Sequence, residues 1–379
     1  MSYESNDPAY FLYHSIGQFP GKAQLTAKVL ADYADIWSAL DDAQWPRVLH
    51  LRQQFLDVWH QIIGAPEGTL TAAENVTTAL YSVLGGLPTK YRRGRFLIAA
   101  DCFPSLHFLL AGMAERHGFI LDTVEPRPGE YWVRDEDMLE RWGEDVGIAL
   151  LTQVTSVSSH RCDLHRLLEQ GRAMGTIVGV DITQAVGLLP YDVVDCGADF
   201  TISTSLKWLC GTSGAGILQV RPGLLEECRP ELRGWFSQDN IFSWDLNNFR
   251  FAPDARRFDH GTPSVVGSIA SLPALQWISA QDPEQLLAHN RQLGEAIIVG
   301  ADSMGLKVAT PRHPAHRGGS VMLELPAGID GALLIDELRT RGIFADCRGR
   351  ILRLSPGNMT RQSDVDKLLE ALSSLVCAA

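Results

Sequence analysis

The sequence predicts an α/β fold with a mainly parallel sheet in a large domain, followed by a smaller α+β domain. Three observations carry this. Between about residues 95 and 220, short apolar runs alternate with helical patterns. The runs are apolar at consecutive positions, as expected of strands covered by helices on both faces. Strand–helix alternation of this kind also implies parallel strands joined by right-handed crossovers.

Taken in order, residues 96–100 read as a strand and 105–115 as a helix. Residues 119–124 and 147–154 are the next strands, with a helix at 163–174. Residues 176–181, 199–203 and 215–220 supply three more strands. Further on, 320–325 and 351–354 are strand-like. An amphipathic helix at 331–341 is closed by Gly342, and 363–376 is a final helix. These elements assign residues 51–275 to the large domain and 276–379 to the small one. Residues 1–50 read as an irregular, aromatic-rich arm serving the small domain and the active site.

Composition narrows the function. The 379 residues carry 33 Lys plus Arg against 45 Asp plus Glu, a net charge of −12. Nucleic acid and anionic membranes require a basic surface, so neither is expected as a partner. No apolar run approaches the roughly 18 residues needed to cross a bilayer. Residues 1–7 carry no basic or apolar stretch of the kind that makes a secretory signal. The 7 cysteines are odd in number and widely spaced, with no CxxC pair. Reduced thiols in the cytoplasm are expected, not disulfides or a metal site.

Ligands of open α/β sheets bind beyond the carboxyl ends of the strands. Asp181 closes one strand there, with Gln184 three residues on. Lys207 follows another, after Thr204 and Ser205. Asn75, Thr77 and Thr78 open a helical pattern, and a helix start with free N–H groups suits an anion. Singly, each has a plain structural reading: a surface lysine, a helix cap, a helix start. Together they meet the requirements of pyridoxal 5′-phosphate (PLP): an amine for a Schiff base, a carboxylate for the pyridinium and a phosphate cradle. Residues 211–216 are Gly-rich but lack the closing Gly-Lys-Ser/Thr and lead into a strand, so they are not a nucleotide loop.

Asp181-x-x-Gln184-x-x-Gly187, Gly197-Ala198-Asp199-Phe200 and Lys207-Trp208-Leu209-Cys210-Gly211 resemble the class V aminotransferase branch of the fold-type I PLP enzymes. Within that branch the chain is most similar to kynureninases. The matching segments are residues 10–17, Phe103-Pro104-Ser105, Gly234-Trp235-Phe236, Gly261-Thr262-Pro263 and Ile351-Leu352-Arg353.

The resemblance implies an aspartate aminotransferase-like architecture with a sheet of the seven-stranded type, PLP as cofactor, and a homodimer with shared sites acting on an L-α-amino acid. It makes Lys207 the cofactor-binding and catalytic lysine, Asp181 the partner of the ring nitrogen, and Gln184 a neighbour of the ring's phenolic oxygen. Phe103 stacks on the ring. Val76 and Thr77 contact the phosphate, with a hydroxyl from Thr204 or Ser205. Trp235 and Thr262 reach the neighbouring subunit's cofactor. Arg353 clamps the substrate carboxylate, and Ser15 and His14 lie on the substrate side, His14 as an acid/base or a structural hydrogen bonder.

The departures shape the expected reaction. Kynureninases carry Tyr immediately before the lysine, and here it is Leu206. Their Asn in the N-terminal motif is His14, and the Asp after the Phe-Pro turn is Leu106. The aryl-recognition segment reads as residues 38–45, with Asp41 and Asp42 and no His. The expectation is a kynureninase-like lyase or hydrolase repurposed for another substrate, with C–S or other Cβ bond cleavage, as in natural-product tailoring of the lincosamide kind. Open beside it stand true kynureninase activity, decarboxylation-coupled oxidative deamination, transamination, and a degenerate, non-catalytic PLP-binding protein.

Overall fold

The computed structural model describes residues 7–92 and 94–376. Its central sheet has seven strands, in spatial order Leu70–Ala73, Gly216–Val220, Phe200–Thr204, Ile177–Asp181, Val146–Thr152, Arg95–Ala99 and Ile120–Val124. The last five run parallel. Gly216–Val220 is antiparallel to both its neighbours. Consecutive side chains go to opposite cores, as the unbroken apolar runs require. Ile148 and Leu150 join one cluster, while Ala149 and Leu151 join the other. Each Leu or Ile so buried contributes roughly 1.5–3 kcal/mol. Gly179 is small for a visible reason: a Cβ there would lie 2.1 Å from the Phe200 ring on the next strand.

The second unit is a four-stranded antiparallel sheet ordered Asp346–Arg348, Ile351–Leu354, Val321–Glu324 and Lys307–Val308. The helices Pro283–Ser303, Gly331–Thr340 and Gln362–Val376 supply Ile297, Leu338 and Leu368 to its core. The N-terminus belongs to this unit. Ala9–Tyr10 pairs in parallel with Ile343–Phe344, and Ala9 and Phe11 lie inside the same core. Residue 275 falls inside the continuous helix Val266–Ser279, and Leu275 packs in the large-domain core.

The described part of residues 1–50, from residue 7 on, is not the irregular arm expected. Lys22–Ser38 and Gln44–Ile63 are helices. The first starts at Gly21 without a side-chain cap, so it lacks a start signal, and its apolar stripe of Val29, Tyr33 and Ile36 is only partly buried against Val48, Val265 and Ile269. Its aromatics serve a surface cluster as well: Tyr33 stacks on Trp37, which meets Trp45 edge-on. The second helix carries Phe55, Trp59 and Ile63 four apart, all in the large-domain core. Asp41 receives the Ala43 N–H at 2.9 Å and pairs with Arg47 at 3.0 Å, so it braces the start of that helix.

The stretch from Tyr13 to Gln18 ties the two units together. Tyr13 stacks on Trp208 with ring centroids 6.0 Å apart, and the Gly17 N–H donates to the Leu206 carbonyl at 2.9 Å. A Cβ on Gly17 would sit 1.9 Å from the Lys207 carbonyl oxygen, so only glycine lets this segment lie against the lysine loop. Gly17→Ala should lower stability to chemical denaturation by about 1–3 kcal/mol, the usual range for overpacking. An unchanged denaturation midpoint would contradict that packing.

Candidate active site

The parallel strands end at one edge, and the polar residues just beyond them line a cavity of about 1280 Å³. Asp181 is the last residue of its strand and is buried. Thr183 donates its backbone N–H to Asp181 Oδ1 at 2.9 Å. Burial raises the Asp181 carboxyl above its ordinary range, against the pull of Thr183 and Lys207. Lys207 comes three residues after the strand Phe200–Thr204, in a turn closed by the Cys210 N–H to the Lys207 carbonyl at 2.8 Å. Burial lowers its amine from 10.5 to about 8, with Asp181 opposing and Arg353 assisting. Its Nζ stands 5.2 Å from the centre of the Phe103 ring. Phe103 is half-exposed at the cap position of the helix Pro104–His117, so the sheet edge itself offers the ring to the cleft.

Val76 and Thr77 line the cavity at the start of the helix Val76–Gly86. Asn75 caps that helix: its Oδ1 receives the Thr78 N–H at 3.0 Å, and Thr78 Oγ1 receives the Asn75 N–H at 3.3 Å. The Thr78 hydroxyl is therefore spent on the cap. Gly216 lets this helix start approach the sheet, because a Cβ there would meet Asn75 Cα at 3.3 Å and the Ser203 carbonyl at 2.7 Å.

The second unit supplies the opposite wall. Arg353, on Ile351–Leu354, lines the cavity with Nη1 donating to the Ser156 carbonyl at 3.3 Å and Nη2 to Asp346. His14 and Ser15 reach the same cavity from the N-terminal segment. Gln184 faces it while its Nε2 donates to the His14 carbonyl at 3.0 Å. His14 is buried, with Nδ1 2.6 Å from Ser355 Oγ and Nε2 3.5 Å from Asp346. Burial and the nearby Arg353 and Lys207 charges lower the imidazole to about 4 against the pull of Asp346, which keeps it neutral near pH 7.

Thus His14, Ser15, Val76, Thr77, Phe103, Asp181, Gln184, Thr204, Lys207 and Arg353 share one cavity. Three expected site residues do not line it. The Ser205 hydroxyl is committed inward: it donates to the Ala215 carbonyl at 2.6 Å and accepts from Trp59 Nε1 at 3.3 Å. Of the two hydroxyls offered for the phosphate, only that of Thr204 belongs to a cavity residue. Thr262 is exposed and lines an adjoining cleft together with Thr77. Trp235 is half-buried and packs edge-on against Phe236. Sequence reasoning missed Thr152 and Thr183, although the strand-end rule applied to Val146–Thr152 would have found the first. Their hydroxyls are buried with no hydrogen-bond partner among the described residues.

This donor set fits PLP. It offers a partly neutral amine for the aldehyde, a buried carboxylate for the ring nitrogen, an aromatic ring beside the amine, a helix start for the phosphate and unpaired hydroxyls around them.

Comparison with known proteins agrees with that chemistry. The family model "Aminotransferase class-V" matches residues 57–368. Isopenicillin N epimerase from Streptomyces clavuligerus is 28% identical over 332 residues, 83% of this chain and 82% of that protein. A kynureninase from Xanthomonas euvesicatoria is 25% identical over 402 aligned residues, 98% of this chain and 92% of that one. The apo cysteine desulfurase of Thermococcus onnurineus NA1 superposes with a TM-score of 0.87 at 18% identity, covering 98% of this chain and 95% of its own. At that identity the last likeness speaks for the fold alone, which is fold type I. The chain belongs to the aminotransferase class-V family of PLP-dependent enzymes, and its cofactor is pyridoxal 5′-phosphate.

Proposed function

We propose that this enzyme acts on an L-α-amino acid and breaks a bond at its β-carbon, with C–S cleavage of a cysteine conjugate as the leading reaction. The observation that carries this is the cavity wall beside the lysine. Lys207, Asp181 and Arg353 are present together, yet the residue before the lysine is Leu206, an apolar side chain in the same cavity. Kynureninases, which it resembles, have a tyrosine there for proton transfer in C–C hydrolysis, and leucine has no proton to give.

When bound, PLP supplies an aldehyde for the substrate amine and a ring that accepts electrons from the α-carbon. Asp181 would hold the ring nitrogen, Gln184 would serve the phenolic oxygen, Phe103 would cover the ring, and Val76, Thr77 and Thr204 would take the phosphate. Lys207 would hold the cofactor, and its amine, once free, would accept the proton from the α-carbon; the C–H pair would become a Cα–Cβ double bond as the C–S pair leaves with the thiolate. A thiolate departs without a proton donor, so Leu206 is compatible with it. Arg353 holds the substrate carboxylate.

Trp235 and Thr262 do not line this chain's own cavity, which supports their service to the cofactor of a second subunit in a homodimer. Phe242, Trp244 and Leu246 leave an apolar loop surface at 74%, 83% and 97% exposure, of the kind a second copy covers. Residence in the cytoplasm is supported by six free cysteines among the described residues; Cys377 lies outside them.

Two tests follow. Holoenzyme incubated separately with a cysteine S-conjugate, kynurenine and simple amino acids should release a thiol from the first, read by mass and chirality of the products. Anthranilate from kynurenine would restore the ordinary kynureninase reaction. Inverted amino acid of unchanged mass would replace bond cleavage by proton exchange at the α-carbon, and accumulated pyridoxamine phosphate would indicate transamination. Separately, PLP capture needs the neutral lysine amine, whose pKa is lowered. Uptake by the apoprotein, followed by its visible band, should rise with pH and level off above about 8. A rate still climbing toward 10.5 would mean an ordinary lysine.

A further inference from the structure

Arg353 is expected to receive the substrate carboxylate, and the inference below rests on that reading. A guanidinium has five N–H donors in a rigid fork. Here one on Nη1 goes to the Ser156 carbonyl and one on Nη2 to Asp346, while Nε is buried with no partner among the described residues. One N–H on each Nη remains for a two-point grip on a carboxylate.

Asp346 is directly opposite Arg353 in the antiparallel ladder between Asp346–Arg348 and Ile351–Leu354. The ladder fixes the distance between the two backbones, so the carboxylate does not have to search for its partner. A second contact holds it from the other side. Ionised Asp346 only accepts, so neutral His14 must present Nε2–H to it across 3.5 Å. His14 Nδ1 then accepts from the Ser355 hydroxyl, which in turn lies 2.6 Å from Ser320 Oγ. Arg353 and His14 together keep the Asp346 carboxyl well below the usual carboxylate range, so it stays charged at any working pH.

We propose that Asp346 is a positioning residue: braced by His14, it orients the Arg353 guanidinium so that its two remaining Nη–H groups face the substrate carboxylate. His14 then acts through Asp346 and moves no proton in the reaction. The selectivity that follows is for ligands presenting a planar, two-oxygen anion at this wall.

The test uses holoenzyme and L-alanine, which carries the carboxylate and amine but no β leaving group. Its Kd is read from the change in the cofactor's visible spectrum in wild type, Asp346→Ala, Arg353→Ala and the double variant. Asp346→Ala should weaken L-alanine on the order of tenfold with the free-enzyme spectrum unchanged, and should add less than about twofold in the Arg353→Ala background. Asp346→Asn, which keeps an acceptor oxygen and the shape, should lie between wild type and Asp346→Ala, and it serves if the alanine variant does not fold. Tighter binding in Asp346→Asn or Asp346→Ala would overturn the proposal by making Asp346 a competitor for Arg353. Equal losses in both backgrounds would also overturn it, because Asp346 would then act independently of Arg353. If Arg353→Ala alone leaves L-alanine binding intact, the carboxylate role of Arg353 fails and the positioning role falls with it.

Discussion

Withdrawing the Lys207 amine from water favours its neutral form, and the Asp181 carboxylate nearby pulls the other way. Neither effect alone suits a covalent amine. Complete desolvation without a counter-charge would expose the site to loss of the proton it must later carry, while a strong salt bridge would keep the amine protonated and unreactive. The balance sets the lysine at about 8, near physiological pH. It depends on distances that the sheet provides: Asp181 ends one parallel strand and Lys207 lies three residues beyond the end of its neighbour.

The remaining wall comes from chain segments far apart in sequence. The N-terminal segment pairs with Ile343–Phe344, lies against the Leu206–Lys207 backbone at Gly17, and brings His14 to Ser355 and Asp346. The packing of the lysine loop and the position of Asp346 beside Arg353 are thereby linked through one short N-terminal segment. The same arrangement explains why His14 is poorly placed as a free acid or base: both ring nitrogens are engaged and the ring is buried. In the proposed reaction, proton transfer is assigned to Lys207 and not to His14.

Much of this was legible beforehand, for physical reasons. Strands buried on both faces leave unbroken apolar runs, so the sheet could be read, and the strand-end rule then picked out Asp181 and Lys207. What stayed hidden depended on tertiary packing. The helix Lys22–Ser38 has no side-chain cap, and its stripe is only partly buried. Ser205 is adjacent to Thr204, but strand alternation turns its hydroxyl inward toward Ala215 and Trp59. The pairing of Asp346 with Arg353 is a matter of ladder register across a tight turn, and that of His14 with Ser355 spans 341 positions.

The most direct test of the account is chemical trapping. Borohydride reduction of the holoprotein makes the cofactor's bond to its lysine permanent, and peptide mapping by mass spectrometry then locates it. The account predicts the added mass on Lys207 alone. Added mass on Lys22 or any other lysine, or none retained after reduction, would contradict it.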